Sequence, residues 1–366
     1  MIRVLLVDDS PMALHILQSL LSRSPDIQVV GTAADGVEAL ELLPALNPDV
    51  ICTDLHMGGM DGLELTRTVM NKYPRPILVV SASVEPDSPN VFRVLEAGAV
   101  DVYPKPRAIL DADQEKLARE LVSKIRIVAG VHVFRRAGAT RRAHSTQPLV
   151  LPPLRARVRM VAIGASTGGP QALREILSHL PAGFPAPVVC VQHIGEGFLS
   201  EMVAWLAEVS PLPVRQAVQG EVPQAGVVYF APDDAHTAFD GDGRFDLSRA
   251  PPCDGHRPSI TFTLRAVARR FGAGAVGVLL TGMGRDGAEG MVDIAAAGGV
   301  TIAQDEASSV VYGMPRAAVA LGSAQQVLPL ERIAPTLAAL ASSGNGLGAA
   351  PPKGTSFGAQ QGKEST

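Results

Sequence analysis

The 366-residue sequence has few cysteines, little net charge and no long apolar run. Its three cysteines are an odd number, and Cys52 and Cys190 lie in apolar, strand-like stretches, which is typical of reduced, buried thiols. A net charge of −4 gives no indication of nucleic-acid or anionic-membrane binding. No apolar stretch approaches the ~20 residues of a membrane-spanning helix, and the opening MIRVLLVDDS is unlike a signal peptide. We therefore expect a cytoplasmic protein with no direct membrane insertion and no nucleic-acid partner.

Residues 1–125 alternate between strand-like and helix-like patterns. The strand-like segments are short, β-branched and almost continuously apolar, which is typical of parallel strands buried on both faces. They occupy residues 2–7, 27–33, 50–54, 77–83 and 100–106. Cap residues mark helix starts at Ser10-Pro11, Asp35, Asp61 and Ser88-Pro89. Five βα units predict an α/β domain built on a doubly wound parallel sheet.

The rest of the chain divides into a linker, a second domain and a tail. Residues 126–157 contain clustered arginines and prolines and no acidic residue, which predicts a solvated basic linker. Residues 158–342 form a second doubly wound α/β pattern with a β-hairpin, whose turn lies at Asp240-Gly241 or Asp242-Gly243. Residues 343–366 are low in complexity, and we expect them to be disordered.

Charged and polar side chains follow the predicted strands of the first domain at their carboxyl ends. Asp8 and Asp9 follow the first strand and Asp54 ends the third, while Ser81 and Lys105 lie at the ends of the fourth and fifth. Because these ends share one edge of a parallel sheet, we expect the five groups to converge. Three carboxylates suit Mg²⁺, and Mg²⁺ with the lysine would neutralise a phosphoryl group placed on one of them. A single acid there would be an ordinary turn residue, but this set predicts a phosphorylation site.

The segments VDDS, TDLHMGGMDG, VSAS and YPKP resemble, in this order, the receiver domain of two-component response regulators. The resemblance covers residues 1–125 and implies a flavodoxin-like fold in which Asp54 accepts a phosphoryl group from a histidine kinase. It implies that Ser81 and Lys105 sense that group. The implied Mg²⁺ ligands are Asp8, Asp9, Asp54 and the backbone carbonyl of His56. The family usually has proline where this chain has Gly58, which predicts a looser loop after Asp54.

The glycine-rich stretch IGASTGGPQAL lies between a predicted strand and a predicted helix. A Walker-type phosphate loop requires a lysine that is absent here, and a dinucleotide fingerprint requires glycine where Ser166 stands. The pattern G-x-S-x-G matches a turn that presents a nucleophilic serine, although small-residue turns are common after strands. Unpaired N–H groups at the start of the following helix would stabilise an oxyanion beside Ser166. We therefore interpret Ser166 as a candidate nucleophile.

A serine nucleophile requires a base and an orienting carboxylate. His193 and Asp286 each follow a predicted strand, so they lie at the same sheet edge as Ser166. His179 falls within an amphipathic helix, where packing or solvation is its ordinary role. The loop residues that remain alternatives are His236, His256, Asp233, Asp234 and Asp254. The chain order of serine, histidine and aspartate argues against a standard α/β-hydrolase fold.

Six segments of the second domain resemble the C-terminal domain of the chemotaxis methylesterase CheB family, across about residues 158–340. They are AIGASTGGPQAL, VVCVQHI, VYFAPDDAH, HRPSI, VLLTGMGRDGAEGM and AQDEASSVVYGMPRAAV. The resemblance implies a catalytic triad of Ser166, His193 and Asp286.

The same resemblance assigns residues around the triad. It implies that backbone N–H groups near Thr167 and Met283 line the oxyanion site, and that His256 and Arg257 lie near the substrate cleft. The family commonly has aspartate where this chain has Thr261, which predicts altered receptor or domain contacts in that loop.

Together the two resemblances imply a phosphorylation-activated serine hydrolase that demethylates glutamate methyl esters on chemoreceptors, with glutamine deamidation as related chemistry. The implied partners are a histidine kinase of the CheA type and methyl-accepting chemoreceptors. Mg²⁺ would serve receiver phosphorylation, and ester hydrolysis would need no cofactor. The alternative is a non-catalytic docking module gated by the receiver, in which IGASTGGP is only a tight turn. The missing lysine and fingerprint glycines disfavour a phosphatase or a nucleotide enzyme.

Overall fold

A computed structural model describes residues 1–82, 91–106, 111–131, 133 and 155–343. The predicted helix start at Ser88-Pro89, most of the predicted linker and the predicted tail beyond residue 343 lie outside these ranges. The described residues form a five-stranded sheet, a seven-stranded sheet and a two-stranded sheet. None of the helices in these ranges is long and apolar enough to cross a membrane.

The first sheet is parallel throughout, with strand order β2-β1-β3-β4-β5. Its strands are β1 (Ile2–Val7), β2 (Ile27–Ala33), β3 (Val50–Thr53), β4 (Ile77–Ser81) and β5 (Asp101–Pro104). Its helices are α1 (Pro11–Leu21), α2 (Gly36–Leu46), α3 (Gly62–Lys72), α4 (Arg93–Ala97) and α5 (Asp111–Ala129). The side chains of Ser10, Asp35 and Asp61 accept hydrogen bonds from backbone N–H groups of the following turn, which confirms these three predicted helix starts.

Helix α5 continues to Ala129, past residue 126, where the predicted linker begins. Ile125 and Val128 are fully buried in the core beneath the first sheet, so the apolar face of this helix extends beyond the predicted end of the domain. Packing of that face against the sheet explains why the helix does not end at the basic stretch.

The second sheet is also parallel, with strand order β14-β13-β12-β6-β7-β9-β8. Its strands are β6 (Met160–Ala165), β7 (Val188–Gln192), β8 (Val214–Gln216), β9 (Val228–Phe230), β12 (Ala275–Leu279), β13 (Val300–Gln304) and β14 (Gln326–Leu328). Its helices are α6 (Gly169–His179), α7 (Leu199–Ala207), α8 (Ile260–Phe271), α9 (Ala288–Ala296), α10 (Met314–Ala320) and α11 (Leu330–Ser343), with a 3₁₀ turn at Gly272–Gly274. The predicted hairpin forms from β10 (His236–Phe239) and β11 (Phe245–Ser248). The predicted doubly wound α/β fold is confirmed for both sheets.

The three central strands β12, β6 and β7 lie side by side and are buried along their whole length. Residues Gly164 and Leu279 pair across β6 and β12, and Ala165 and Gln192 pair across β6 and β7. The segments that follow these strands therefore leave the sheet at one edge and at nearly the same level. This edge contains the second-domain site.

Candidate active site

The turn after β6 presents Ser166 at the carboxyl edge of the sheet. The Ser166 N–H donates to the Thr281 carbonyl (3.0 Å), and the Ser166 carbonyl accepts from the Gly169 N–H (2.7 Å), which begins α6. Gly168 adopts a φ of 76°, a left-handed conformation that favours glycine, so the chain reverses sharply into the helix. A Cβ atom on Gly282 would lie 2.6 Å from the Ser166 Cβ, so the two turns approach closely only because residue 282 is glycine.

His193 follows β7 directly and contacts the predicted acid. Its Nε2 lies 2.9 Å from Oδ2 of Asp286, while its Nδ1 is buried and has no partner among the described residues. The His193 N–H donates to the Ala165 carbonyl (3.0 Å), which keeps the base beside the residue that precedes Ser166. The Ser166 hydroxyl and the ring form no hydrogen bond in this state, as is common before substrate binds. Nδ1 is therefore the ring nitrogen that is available to accept a proton.

Asp286 lies in the loop after β12, with its carboxylate at the N-terminus of α8. Its Oδ1 accepts from the Ser259 hydroxyl (2.9 Å) and the Thr261 N–H (2.8 Å), and its Oδ2 accepts from the Ile260 N–H (2.8 Å). Burial by itself would raise the pKa of Asp286, but His193 and the two backbone N–H groups hold that pKa well below its usual range. The carboxylate stays ionised and fixes the proton of His193 on Nε2.

Gln192 was not predicted from the sequence, and it connects the nucleophile with the base. Its side-chain Nε2 donates to the backbone carbonyls of Ser166 and His193, at 2.8 Å each, and the residue is 5% exposed. The only sequence signal was an amide at the end of an apolar strand, directly before the histidine.

The predicted oxyanion donors flank Ser166. The N–H groups of Thr167 and Met283 donate to no acceptor within the described residues. Thr167 is buried, whereas Met283 is 50% exposed. This arrangement is compatible with an oxyanion site, and the assignment stays a prediction.

The two predicted cleft residues lie differently with respect to the triad. The His256 ring stacks on His193, with centroids 3.8 Å apart. His256 is exposed as a whole residue, but desolvation of its ring, together with the nearby His193, lowers the pKa of His256 to about 4. At neutral pH the His256 ring is therefore uncharged, and it covers one face of the His193 ring. Arg257 pairs with Asp234 on the loop before the hairpin.

The remaining alternatives are engaged elsewhere. His236 is buried, where its Nδ1 accepts from the Ser259 N–H (3.1 Å) and its Nε2 lies 3.2 Å from the Pro251 carbonyl. Asp233 accepts from the Gly197 N–H (3.3 Å), and His179 bonds within the last turn of α6. Asp254 lies in an exposed turn with a φ of 52°.

The position of Thr261 corrects a sequence-based expectation. Thr261 does not lie in a loop that meets a receptor or another domain; it occupies the first turn of α8 and is 1% exposed. The preceding Ser259 caps the helix, because its hydroxyl accepts from the Phe262 N–H (3.2 Å). Thr261 is thereby placed against Asp286.

The predicted cluster of charged groups forms at the edge of the first sheet. Carboxylate oxygens of Asp8, Asp9 and Asp54 lie within 4.8 Å of one another, and Lys105 Nζ lies 2.7 Å from both Asp8 Oδ2 and Asp54 Oδ2. Burial raises the pKa of Asp8, which Lys105 partly offsets. Burial works against the charge of Lys105, but the two carboxylates raise its pKa above the usual value. An all-carboxylate cluster of this size fits a divalent cation.

Three other residues of the receiver domain were singled out from the sequence, and each has a different environment in the structure. The Ser81 hydroxyl is buried and lies 3.3 Å from the Ala82 carbonyl, so it does not contact Asp54 in this state. His56 is exposed, and the role of its carbonyl stays a prediction. The Gly58 N–H donates to Asp9 Oδ2 (3.3 Å), a bond that proline could not form, so this departure attaches the loop to the acidic cluster.

The first domain contacts the second around its catalytic turns. Lys124 on α5 bonds Asp101 (2.8 Å) and reaches the Thr167 hydroxyl (3.1 Å), directly after Ser166. A Cβ on Gly195 would lie 2.6 Å from the ring of Pro104, so the end of β5 packs on the loop after His193. One contact is made by the residue directly after the nucleophile Ser166, and the other is made two residues after the base His193.

A second group of contacts lies farther from the nucleophile. The Trp205 indole N–H donates to Glu96 (3.0 Å), and the Trp205 ring stacks on Phe92 with centroids 5.6 Å apart. Gln171 donates to the carbonyls of Leu95 (2.9 Å) and Ala99 (3.1 Å). Helices α6 and α7 are thus attached to α4 of the first domain.

Comparison with known proteins confirms the resemblance of each domain to its family. The family model "CheB methylesterase" matches residues 161–337, and the model "Response regulator receiver domain" matches residues 4–117. A protein-glutamate methylesterase/protein-glutamine glutaminase of Nitrosospira multiformis is 45% identical over 92% of this chain and 96% of that protein. A protein-glutamate methylesterase/protein-glutamine glutaminase 2 of Methanospirillum hungatei is 44% identical over 93% of this chain and 98% of that protein.

Among solved structures, the crystal structure of the Thermotoga maritima CheB methylesterase catalytic domain is 38% identical to this chain. It covers 50% of this chain and 100% of its own, with a TM-score of 0.49. The two relatives each match more than nine-tenths of this chain, so the similarity spans both domains. The chain belongs to the CheB family of receiver-linked protein-glutamate methylesterases/protein-glutamine glutaminases.

Proposed function

We propose that this protein is a serine hydrolase that removes methyl groups from glutamate methyl esters of chemoreceptors and that its receiver domain controls it by phosphorylation. One observation carries the proposal. Ser166, His193 and Asp286 follow three adjacent strands, and the His193–Asp286 hydrogen bond leaves Nδ1 as the available base beside the nucleophile turn. The names of the relatives support the same substrate and, as a second activity, deamidation of glutamine.

In the proposed reaction, Ser166 Oγ attacks the γ-carbonyl carbon of the methylated glutamate while His193 Nδ1 takes the hydroxyl proton. The N–H groups of Thr167 and Met283 stabilise the oxyanion of the tetrahedral intermediate. The C–O bond to the methoxy group then breaks, and the leaving oxygen takes the proton from His193 to give methanol. His193 next deprotonates a water molecule that hydrolyses the acyl-enzyme, which returns Ser166 and a glutamate carboxylate. Asp286 stabilises the imidazolium in both steps.

The receiver site would use a phosphoryl group delivered to Asp54 by a histidine kinase of the CheA type. Mg²⁺ held by Asp8, Asp9, Asp54 and the His56 carbonyl would neutralise charge on the phosphoryl group. The ammonium of Lys105, which now neutralises Asp8 and Asp54, would be redirected to that group. We place the kinase, the receptor substrate sites and this chain in the cytoplasm.

Before phosphorylation, the receiver would restrain the catalytic turns through Lys124 and Pro104. Both contacts involve residues next to the catalytic ones, Thr167 beside Ser166 and Gly195 near His193. Phosphorylation would shift the interface between two packed arrangements and open the site. The alternative, a non-catalytic docking module, does not account for a histidine that bonds a buried carboxylate through Nε2, has an unpartnered Nδ1 and follows the strand beside that of Ser166.

Methanol release from methylated receptor membranes tests the proposed function. We expect release by the full chain to rise on addition of Mg²⁺ and acetyl phosphate, by about 5–150-fold, which is the usual range of coupling between two sites. The Asp54→Asn variant should keep the basal rate and lose the increase. No release from the wild-type chain under either condition would favour the docking module.

Removal of the Lys124 contact should raise the rate of the unphosphorylated chain. In Lys124→Met the helix keeps a side chain of similar length but loses the charged donor to Asp101 and Thr167. Such a bond is worth about 1.5–3 kcal/mol, so we expect basal methanol release to increase by about 10–150-fold if the whole of it restrains the site. Arg126→Met is the matched control, because Arg126 lies on the same helix but pairs with Asp26 inside the first domain. Equal basal rates in both variants and the wild type would contradict the restraint.

A further inference from the structure

The first turn of α8 and the loop that contains Asp286 each donate hydrogen bonds to the other. In one direction, the N–H groups of Ile260 and Thr261 and the hydroxyl of Ser259 donate to the Asp286 carboxylate. In the other direction, the N–H of Gly287 donates to the Thr261 hydroxyl oxygen at 2.7 Å. Thr261 is the residue that takes part in both directions, through its backbone and through its side chain.

The loop packs closely around Gly287, and the Thr261 hydroxyl satisfies the backbone N–H at that point. Gly287 adopts a φ of 90°, and a Cβ atom there would lie 2.5 Å from Leu279 and 2.7 Å from Ile260. The Gly287 N–H is buried, and Thr261 Oγ1 is its acceptor among the described residues. If the hydroxyl is removed, that N–H has no partner, and the loop must rotate to satisfy it. Rotation at Gly287 turns the preceding residue, which is Asp286.

We propose that Thr261 is a positioning residue for the catalytic acid, because its hydroxyl holds the loop at Gly287 and its N–H holds the carboxylate of Asp286 against His193. The inference rests on the proposed function, since it assumes that Asp286 orients the catalytic base. Among the described residues, Thr261 forms no hydrogen bond with Ser166 or with the His193 ring. In this proposal it affects the rate only through the position of the Asp286 carboxylate. Thr261 holds Oδ1 of that carboxylate, and Oδ2 lies 2.9 Å from His193 Nε2.

The test measures methanol release by the full chain with Mg²⁺ and acetyl phosphate. In Thr261→Val the shape of the side chain is kept and the hydroxyl is lost, and we expect kcat to fall by about 10²-fold, as a misplacement near 1 Å would cause. KM should stay within about twofold, because the contact does not involve the substrate. Thr261→Ser keeps the hydroxyl and should restore most of the rate. Thr261→Ala also removes the hydroxyl but introduces no branched side chain. It should show the same fall in kcat, and it provides the test if Thr261→Val folds poorly.

Thr301→Val is the matched control for a general loss of stability. Thr301 is also fully buried, and its hydroxyl also bonds the backbone, donating to the Ser323 carbonyl and accepting from the Gln325 N–H. It lies near the opposite end of the sheet, at the start of β13. We expect this variant to lower Tm without changing kcat. An equal fall of kcat in Thr301→Val would overturn the assignment of a specific role to Thr261.

A double-mutant cycle with Asp286→Asn separates positioning from plain structural support. If Thr261 acts through Asp286, Thr261→Val should lower kcat by less than about twofold in the Asp286→Asn background. The full loss in that background would overturn the inference, as would wild-type kcat in the single Thr261→Val and Thr261→Ala variants. If wild type and Ser166→Ala release methanol equally, the proposed function fails, and the inference fails with it. If only Ser166→Ala is inactive and the Thr261 variants match the wild type, the proposed function stands and the inference alone is wrong.

Discussion

Replacement of Ser166 by alanine should lower kcat for methanol release by about 10⁶-fold, the loss found when a nucleophile is removed from a serine hydrolase triad. The reason is that Ser166 provides the attacking oxygen, while the oxyanion N–H groups and the substrate cleft stay in place. Those remaining groups should leave a residual rate about 10³–10⁴-fold above that of water. The measurement is methanol release from methylated receptor membranes, with Mg²⁺ and acetyl phosphate present.

Ser178→Ala is the matched control for Ser166→Ala. Ser178 lies on α6, the helix that begins directly after the nucleophile turn, and its hydroxyl bonds only within that helix and to the adjacent His179. This variant should keep wild-type kcat. Release that persists in Ser166→Ala at a comparable rate would rule out Ser166 as the nucleophile.

A combined variant of the nucleophile and the base tests whether the two act as one unit. His193→Ala should lower kcat about as far as Ser166→Ala, and the double variant should be no slower than either. The structure gives the reason, because Asp286 occupies Nε2 of His193 and leaves its Nδ1, which has no partner among the described residues, as the nitrogen that can accept the Ser166 proton. Additive losses would mean that His193 supports the fold instead of the reaction.

The positions of the catalytic residues could be predicted because parallel strands end at one edge. Ser166, His193 and Asp286 were each found as polar residues at the end of a buried strand, and the central strands β12, β6 and β7 place them together. The same reasoning placed Asp54 beside Lys105. Strand ends alone left loop residues open as alternatives for the base and the acid, and the resemblance to the CheB family singled out His193 and Asp286 among them.

The residues that support the triad could not be predicted in this way. Gln192, Ser259 and Thr261 act through hydrogen bonds to partners 25–27 residues away or to the backbone of a neighbouring strand. Such bonds depend on how a helix start docks on a loop, and no local pattern specifies that docking. Thr261 shows the consequence, because the family resemblance suggested a role in receptor or domain contacts, whereas in the fold Thr261 is buried against Asp286.

Short or interrupted elements were also missed. Strands β8 and β14 have three residues each, too few for a visible alternation. Helix α11 contains Pro335, a residue that normally ends a helical pattern, yet its buried face packs against α6. The contact between Lys124 and Thr167 likewise joins two domains, and nothing in either segment indicates which face of α5 meets the second domain.

Replacement of Asp286 by asparagine should lower kcat by about 10⁴-fold while the geometry is largely kept. Four donors meet this carboxylate: the Ser259 hydroxyl, the N–H groups of Ile260 and Thr261, and His193 Nε2. An amide has one oxygen, so its NH₂ group must face some of these donors in either orientation. If the oxygen stays with Ser259 and Thr261, the NH₂ group faces His193 and moves the imidazole proton to Nδ1. That atom could then no longer accept the proton of Ser166.

The variant should also change how stability depends on pH. The pKa of Asp286 is lower in the folded protein than in the unfolded chain, so its ionised form stabilises the fold at neutral pH, and this contribution is lost as the pH falls below about 4. We therefore expect Asp286→Asn to be less stable than the wild type at pH 7 and the difference to narrow in acid, as measured by denaturant unfolding. Asp293→Asn is the control, because Asp293 pairs with Arg265 on the surface of the same domain and should affect neither kcat nor this pH dependence. A loss of kcat below about tenfold in Asp286→Asn would mean that another group orients His193, since the wrong tautomer alone accounts for the expected effect.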